Sequence, residues 1–178
     1  MATPLALFLD ELATPVGTML IIVDSAGTLR VADFHDYDER MRKLLARHYG
    51  AEGQGYVISR APLPAAVRSA FERYFEGDLI AIDAIPVATN GTDFQRQVWA
   101  ALRTIPAGET ISYGALAQQI GNPAAVRAVG LANGANPIAI VVPCHRVIGA
   151  NNGLTGYGGG LPRKKWLLEH ESKELRLF

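Results

Sequence analysis

One apolar stretch constrains this 178-residue chain more than any other. Residues 138–142 are five apolar, mostly β-branched residues, which predicts a strand buried on both faces. Pro143 has no N–H to donate, so the strand should end there. Cys144, the only cysteine of the chain, would then lie at the end of the strand with His145 next to it. This predicts a thiol held beside a potential base, because the thiolate is the nucleophilic form of cysteine.

A buried structural thiol is the alternative for a lone cysteine beside an apolar run. The four histidines of the chain, His35, His48, His145 and His170, show no metal-ligand spacing. A single cysteine also excludes an internal disulfide and a thiolate zinc cluster. We therefore expect no metal and no organic cofactor.

Hydropathy excludes a membrane protein. No run approaches the roughly 18 apolar residues of a membrane span, and the start of the chain lacks the basic region of a signal peptide. We therefore expect a cytoplasmic protein that does not associate with membranes.

The pattern of apolar residues in the first half of the chain predicts a small α+β unit. Apolar runs at residues 5–9, 19–23 and 29–34 are typical of strands, and residues 24–28 predict a hairpin connection. Helical spacing of apolar residues predicts helices over 40–49 and 63–75, ended by Gly50 and Gly77. Residues 85–91 are typical of a linker. We therefore expect two domains, residues 1–88 and 89–178.

The second half predicts a series of capped helices. Thr92 and Gln95 have the spacing of a capping box, and Ser112 should cap a short helix over 113–120. Asn122 should cap the next helix, over 124–133, with Pro123 in its first turn. Together these two helices are typical of a helix-turn-helix.

The helix over 124–133 has an unusual composition for a DNA reader. Its residues are mostly small and Arg127 is its only charge, whereas a major-groove helix usually displays several polar side chains. Small residues favour close, non-specific binding in the minor groove. The alternative is a small-residue helix packed against another helix, with Arg127 in solvent. Residues 89–178 carry a net charge of +4 against −4 for residues 1–88, which is compatible with a small nucleic-acid footprint.

The segment after Cys144 combines a flexible loop with a last helix. Residues 150–160 contain five glycines, which let the backbone approach a flat ligand closely. The last helix should begin at Pro162. Near its end, Glu171 follows Leu167 by four residues and opposes the helix dipole, so it needs a cationic partner. His145 is the candidate partner, and a surface ion pair is the alternative.

These motifs resemble a known family. Pro-Cys-His-Arg-Val-Ile-Gly, preceded by Asn136-Pro137 and followed by the glycine-rich loop, resembles the active-site signature of the bacterial O6-alkylguanine-DNA alkyltransferases. The resemblance covers about residues 92–171 and is looser before them. It implies an α+β protein with a small N-terminal mixed α/β domain, ribonuclease H-like in the family. A C-terminal, mostly helical domain of winged helix-turn-helix type would bind DNA and accept the alkyl group.

The resemblance also implies direct-reversal DNA repair. Cys144 would accept a methyl or larger alkyl group from O6-alkylguanine, and from O4-alkylthymine, in a single turnover. His145 would act as base through a water molecule, with Glu171 orienting it. Asn136 would hold the active-site turn together, and Tyr113 would donate a proton to the departing guanine.

For DNA recognition, the resemblance implies that Arg127 enters the space left by a flipped nucleotide. Further DNA-facing positions would be Tyr113, Gly114, Asn122 and Gln95, and the guanine pocket would be walled by Tyr157, Gly158 and Gly159. Some relatives carry a hydroxyl-bearing residue at the position of Gly158, so glycine would admit bulkier alkyl groups. We expect a monomer that binds duplex DNA and needs no obligatory protein partner.

Two other functions stay open on the sequence alone. A cysteine hydrolase would use Cys144 and His145 but turn over, and it would not need the small-residue helix. A non-catalytic damage-binding protein would use that helix without the thiol. Its hallmark would be another residue in place of Cys144.

Overall fold

The computed structural model describes residues 2–151 and 153–172. The chain divides into two compact units, Met1–Asn90 and Gly91–Phe178. The first combines a mixed four-stranded sheet with helices, and the second is mostly helical. The α+β class predicted from the sequence is confirmed. None of the helices within the described residues has the length and hydropathy to cross a bilayer.

Three antiparallel strands and one parallel strand build the N-terminal sheet. Its strands are β1 (Leu5–Thr14), β2 (Gly17–Asp24), β3 (Leu29–Phe34) and β4 (Tyr56–Arg60). The order is β3-β2-β1-β4, and β4 is parallel to its neighbour β1. The predicted hairpin between β2 and β3 is confirmed, with Asp24 and Thr28 joined by a backbone hydrogen bond. The sequence analysis missed β4 because only Tyr56 is buried in this short edge strand.

Two helices belong to the N-terminal unit. These are α1 (Asp38–Tyr49) and α2 (Ala65–Phe75), and α1 ends at Gly50 with φ +88°, as predicted. Met41 and Leu45 of α1 belong to one apolar cluster with residues of the sheet, and β2 is buried at every position from Met19 onward. Continuous burial of β2 is expected for a strand that is covered on both faces.

The C-terminal unit contains four helices and two short strands among its described residues. They are α3 (Asp93–Leu102), β5 (Ile111–Ser112), α4 (Tyr113–Gln119), α5 (Val126–Gly134), β6 (Val147–Ile148) and α6 (Leu161–Glu171). Two of the three predicted caps are confirmed: Thr92 forms a capping box with Gln95, and the hydroxyl of Ser112 accepts from the Ala115 N–H at 3.0 Å. The Trp99 indole N–H donates to the Ala132 carbonyl at 2.8 Å and so ties α3 to α5.

The start of α5 differs from the prediction. The helix begins at Val126, not at residue 124, and Asn122 does not cap it. The carbonyl of Asn122 instead accepts from the Ala125 N–H at 3.0 Å, which closes a turn. The first helical bond follows, from the Val129 N–H to the Ala125 carbonyl at 2.9 Å. Because of this turn, α5 begins two residues later than predicted.

The strand predicted over residues 138–142 is wrong, although all five residues are buried. Asn136 folds this segment into a turn, because its Nδ2 donates to the carbonyls of Ile138 (3.2 Å) and Val142 (2.8 Å). Its Oδ1 accepts from the Ile138 N–H at 3.0 Å. Ile140 has φ +73°, which a β-branched residue rarely adopts. The side-chain amide of Asn136 thus forms hydrogen bonds with backbone groups that would bond to a neighbouring strand in a sheet.

Candidate active site

Cys144 lies in the wall of a cavity. The turn held by Asn136 leads directly into a 3₁₀ turn, Cys144–Arg146, so Cys144 does not lie at the end of a strand as predicted. The cavity measures about 190 Å³, and its wall consists of Tyr113, Gly130, Asn133, Gly134, Cys144, Gly156, Tyr157 and Gly158. Cys144 itself is 6% exposed. The thiol-bearing residue is therefore buried, but beside space that a ligand could fill.

His145 lies in a 3₁₀ turn and not in the strand that the sequence predicted. Neighbouring residues of a strand face opposite sides, but the 3₁₀ turn brings His145 against the end of α6. Its Nε2 lies 2.8 Å from Oε1 of Glu171, and both side chains are buried. The Nδ1 atom has no hydrogen-bond partner among the described residues. The predicted pairing of His145 with Glu171 is thus present as a buried contact.

Arg146 is a second partner of Glu171 and carries a fixed positive charge. Its Nε donates to Glu171 Oε2 and its Nη2 to Oε1, both at 2.9 Å, which is a bidentate contact. Its Nη1 donates to the carbonyl of Ile105 at 2.6 Å. Burial would raise the pKa of Glu171, but the charges and hydrogen bonds of His145 and Arg146 outweigh it and hold that pKa far below its ordinary value. Glu171 is therefore a carboxylate at neutral pH.

Lys164 is the second buried cation of this region. Its side chain is completely buried in α6, and its Nζ donates to the carbonyls of Val147 (2.7 Å), Thr155 (2.8 Å) and Gly156 (3.4 Å). Burial lowers the pKa of Lys164, and negative charge at Cys144 raises it in part. Lys164 thus fixes the glycine-containing loop that forms one side of the cavity.

Two of the three predicted guanine-pocket residues belong to the cavity wall. Tyr157 and Gly158 belong to the cavity wall together with Tyr113, the first residue of α4. Gly159 does not belong to that wall; its carbonyl accepts from Arg163 at 3.1 Å. Asn136 lies outside the wall as well and acts on the backbone that precedes Cys144.

The predicted DNA-facing residues lie apart from the cavity, except Tyr113. Arg127 is exposed on α5, and Leu131, one helical turn later, is 71% exposed. Asn122 is exposed in the turn before α5, and Gly114 is half-buried in α4. Gln95 is half-buried at the start of α3, where its side-chain oxygen accepts from the Thr92 N–H at 3.0 Å.

Comparison with known proteins identifies the family of this chain. Residues 93–173 match the family model described as 6-O-methylguanine DNA methyltransferase, DNA binding domain. The methylated-DNA-protein-cysteine methyltransferase of Shigella flexneri is 52% identical over 167 residues, which cover 94% of this chain and 96% of the relative. The chain belongs to the methylated-DNA-protein-cysteine methyltransferases. The family relationship predicted from the sequence is confirmed.

Two mycobacterial proteins extend the comparison. The methyltransferase of Mycobacterium bovis is 60% identical over 135 residues, covering 70% of this chain and 81% of the relative. The crystal structure of Mycobacterium tuberculosis OGT in complex with DNA has a TM-score of 0.74 and 38% identity, covering 97% of this chain and 99% of that one. The methyltransferase fold therefore extends over both units of the chain.

Within this methyltransferase, three site residues escaped the sequence analysis: Arg146, Lys164 and Asn133. Arg and Lys are almost always exposed, so nothing in composition predicted their burial. A signal for Lys164 was nevertheless present. It precedes Leu167 by three residues and Glu171 by seven, which places it on the buried face of α6. Asn133 similarly follows buried Val129 by four residues on α5.

The described residues contain no group of three or more His, Cys, Asp or Glu side chains that could hold a metal ion. The polar groups that the structure brings together are a thiol, an imidazole, a carboxylate and two buried cations. Such a set suits the activation of a nucleophile, since a carboxylate can orient an imidazole toward a thiol.

Proposed function

We propose that this methyltransferase repairs duplex DNA by moving an alkyl group from the O6 atom of guanine, or the O4 atom of thymine, to Cys144. The observation that carries the proposal is the position of the only cysteine in a cavity wall, followed directly by the buried His145–Glu171 pair. Family membership supports the same reaction. Each molecule should act once, as a monomer.

The first step is removal of the thiol proton. Because the Glu171 carboxylate can only accept, the proton of neutral His145 belongs on Nε2, and Nδ1 keeps its lone pair. We assign to Nδ1 the role of accepting the proton of Cys144 through one water molecule. A buried nitrogen without a protein partner among the described residues is the kind of atom that an ordered water satisfies. Glu171 would then stabilise the imidazolium that forms.

The second step is attack by the thiolate on the alkyl carbon. A sulfur–carbon bond forms, the bond from that carbon to guanine O6 breaks, and its electron pair moves to the base. Tyr113, in the same cavity wall, would donate the proton that the departing guanine takes up. The product is a thioether, which offers water no good leaving group, and the chain has no second cysteine to release it. The protein would therefore be consumed stoichiometrically.

DNA binding is assigned to the exposed face of α5. Arg127, Ala128 and Leu131 are exposed there, so the helix presents one cation among small and apolar side chains. Such a surface suits the minor groove, where proteins insert apolar side chains between base steps. Arg127 would fill the space of a nucleotide rotated out of the stack, at a cost of a few kcal/mol. Gly114, Asn122 and Gln95 would contact the neighbouring backbone.

The two domains would divide this work. Residues 89–178 would bind DNA and accept the alkyl group, and residues 1–88 would support them. Tyr157 and Gly158 would face the extruded guanine, with Gly159 next to them in the loop held by Lys164. Because Gly158 has no side chain, we expect the pocket to accept alkyl groups larger than methyl.

Intact-mass measurement tests the proposal. Incubation with excess duplex containing O6-methylguanine should add one methyl group per molecule, and peptide mapping should place it on Cys144. Cys144→Ser should gain no methyl group while binding the same duplex with nearly unchanged affinity in fluorescence anisotropy. Conversion of more O6-methylguanine to guanine in the duplex than there is protein present would contradict the single-turnover proposal, and methylation of the serine variant would contradict the assigned nucleophile.

A further inference from the structure

Asn133 is a buried amide in the cavity wall whose side-chain oxygen has no hydrogen-bond partner among the described residues. The residue is 5% exposed on α5, and its Nδ2 donates to the carbonyl of Cys144 at 3.3 Å. A carbonyl oxygen can only accept, so the Asn133 atom next to it has to be the amino group. This fixes the orientation of the amide. Its Oδ1 is buried and has no hydrogen-bond partner among the described residues.

A buried acceptor without a donor is energetically unfavourable. Buried polar groups are nearly always paired, and leaving one unpaired costs free energy comparable to its desolvation. Asn133 belongs to the cavity wall and touches the backbone of the nucleophile itself, so a ligand placed for reaction with Cys144 comes within its reach. Such a ligand would satisfy Oδ1 only if it brought an N–H or O–H donor.

We propose that Oδ1 of Asn133 accepts a hydrogen bond from the exocyclic 2-amino group of O6-alkylguanine, and that it thereby favours this base over O4-alkylthymine. The inference rests on the proposed function. Alkylation at O6 leaves N1 of guanine without a hydrogen, and N9 is bonded to the sugar, so the 2-amino group is the only N–H donor of the damaged base. O4-alkylthymine has no N–H donor at all. Asn133 is thus a specificity-determining residue that distinguishes the two lesions.

A double-mutant cycle between protein and base tests this pairing. Single-turnover methyl-transfer rates are measured for wild type and Asn133→Leu, on duplexes containing O6-methylguanine or O6-methylhypoxanthine, which differ only in the 2-amino group. For wild type we expect transfer to slow about tenfold when the amino group is absent. For Asn133→Leu we expect about the same loss on O6-methylguanine and, within about twofold, no further loss on O6-methylhypoxanthine. Rates on O4-methylthymine should differ little between the two proteins.

Two results would overturn the inference. Equal slowing of Asn133→Leu on all three bases would mean that Asn133 acts on the Cys144 backbone or on a buried water. Wild type reacting equally fast with both purines would also overturn it, whether or not the variant folds. If wild type methylated Cys144 with none of the bases, the proposed function itself would fail, which is a separate outcome.

Two further variants complete the design. Asn90→Leu makes the same chemical change at an exposed asparagine of the N-terminal unit and should leave every rate unchanged. Asn133→Ala, which suits a helix interior, repeats the cycle if thermal unfolding shows that the leucine variant is not native.

Discussion

The two units bury ionised side chains in different ways. In the N-terminal unit, buried Asp33 pairs at 2.6 Å with Arg40, whose side chain is 27% exposed, and buried Asp24 pairs at 2.9 Å with partly exposed Arg30. In the C-terminal unit the cations are buried too: Arg146 and Lys164 are as inaccessible as Glu171. Only in the first unit does one partner of each of these pairs keep contact with water.

This difference matters because burying a charge costs free energy. Removing two charges from water costs several kcal/mol per ion, and an apolar core of the same volume is often at least as stable. The N-terminal unit has an apolar core, and its buried acids pair with arginines that keep contact with water. The C-terminal unit keeps a fully buried ionic cluster next to Cys144. Groups arranged in this way are typical of reaction centres, where they hold protons and charges in place.

The largest effect should come from breaking the C-terminal pair. We expect Glu171→Gln to lower the free energy of unfolding by about 3 to 5 kcal/mol, because the buried guanidinium of Arg146 then loses its counter-ion. The matched change Asp33→Asn should cost only about 1 kcal/mol, since Arg40 can turn to water. Urea unfolding of the full chain measures both. Equal losses would remove the distinction between the two units.

Acid pH should reduce the effect of Glu171→Gln. The pKa of Glu171 is held far below its ordinary value of 4.5, so the carboxylate contributes its full stabilisation above that value and loses it as pH falls toward the folded-state pKa. The difference in unfolding free energy between wild type and variant should be constant near neutral pH and shrink below pH 4.5. A difference that grew on acidification would reverse the assigned sign.

Lys164→Met should separate activity from stability. A buried cation replaced by an apolar side chain of similar length should change the free energy of unfolding by less than about 1.5 kcal/mol. Methyl transfer should nevertheless slow about 10- to 100-fold, because the loop that carries Gly156 and Tyr157 loses its anchor. Single-turnover rates and urea midpoints test this. The control Lys165→Met, at an exposed neighbouring position, should change neither.

The smallest effect on stability is expected for Arg127→Ala. This exposed position of α5 should change unfolding by less than about 0.5 kcal/mol. Transfer from duplex O6-methylguanine should fall more than transfer from the free base, since only the duplex requires a nucleotide to be extruded. Equal losses on both substrates would exclude the assigned role of Arg127 in extrusion.

Local chemistry made much of the fold predictable from the sequence. The hairpin after Asp24, the capping box of Thr92 and Gln95, and the cap at Ser112 each involve residues within a few positions of one another. Their signals are therefore contained in short windows of sequence. The family was also predictable, because the segment around Cys144 and the glycine-rich loop together form a long and specific pattern.

Helix periodicity gave only part of the site. Glu171 was recognised because a carboxylate near the end of a helix opposes the helix dipole, and His145 was its candidate partner. The cations Arg146 and Lys164 were missed, because their burial depends on the carbonyls of Ile105, Val147 and Thr155, which are distant in sequence or lie in irregular backbone. A side chain's propensity to be exposed carries no information about such partners.

By itself, the sequence determined the α+β class, the family and the identity of the candidate nucleophile. Tertiary structure alone decided that residues 138–142 form a turn and that Cys144 adjoins a cavity. The physical reason is that five buried apolar residues are equally well satisfied in a strand or in a packed turn. Only the hydrogen bonds of Asn136, made possible by the surrounding packing, choose between the two.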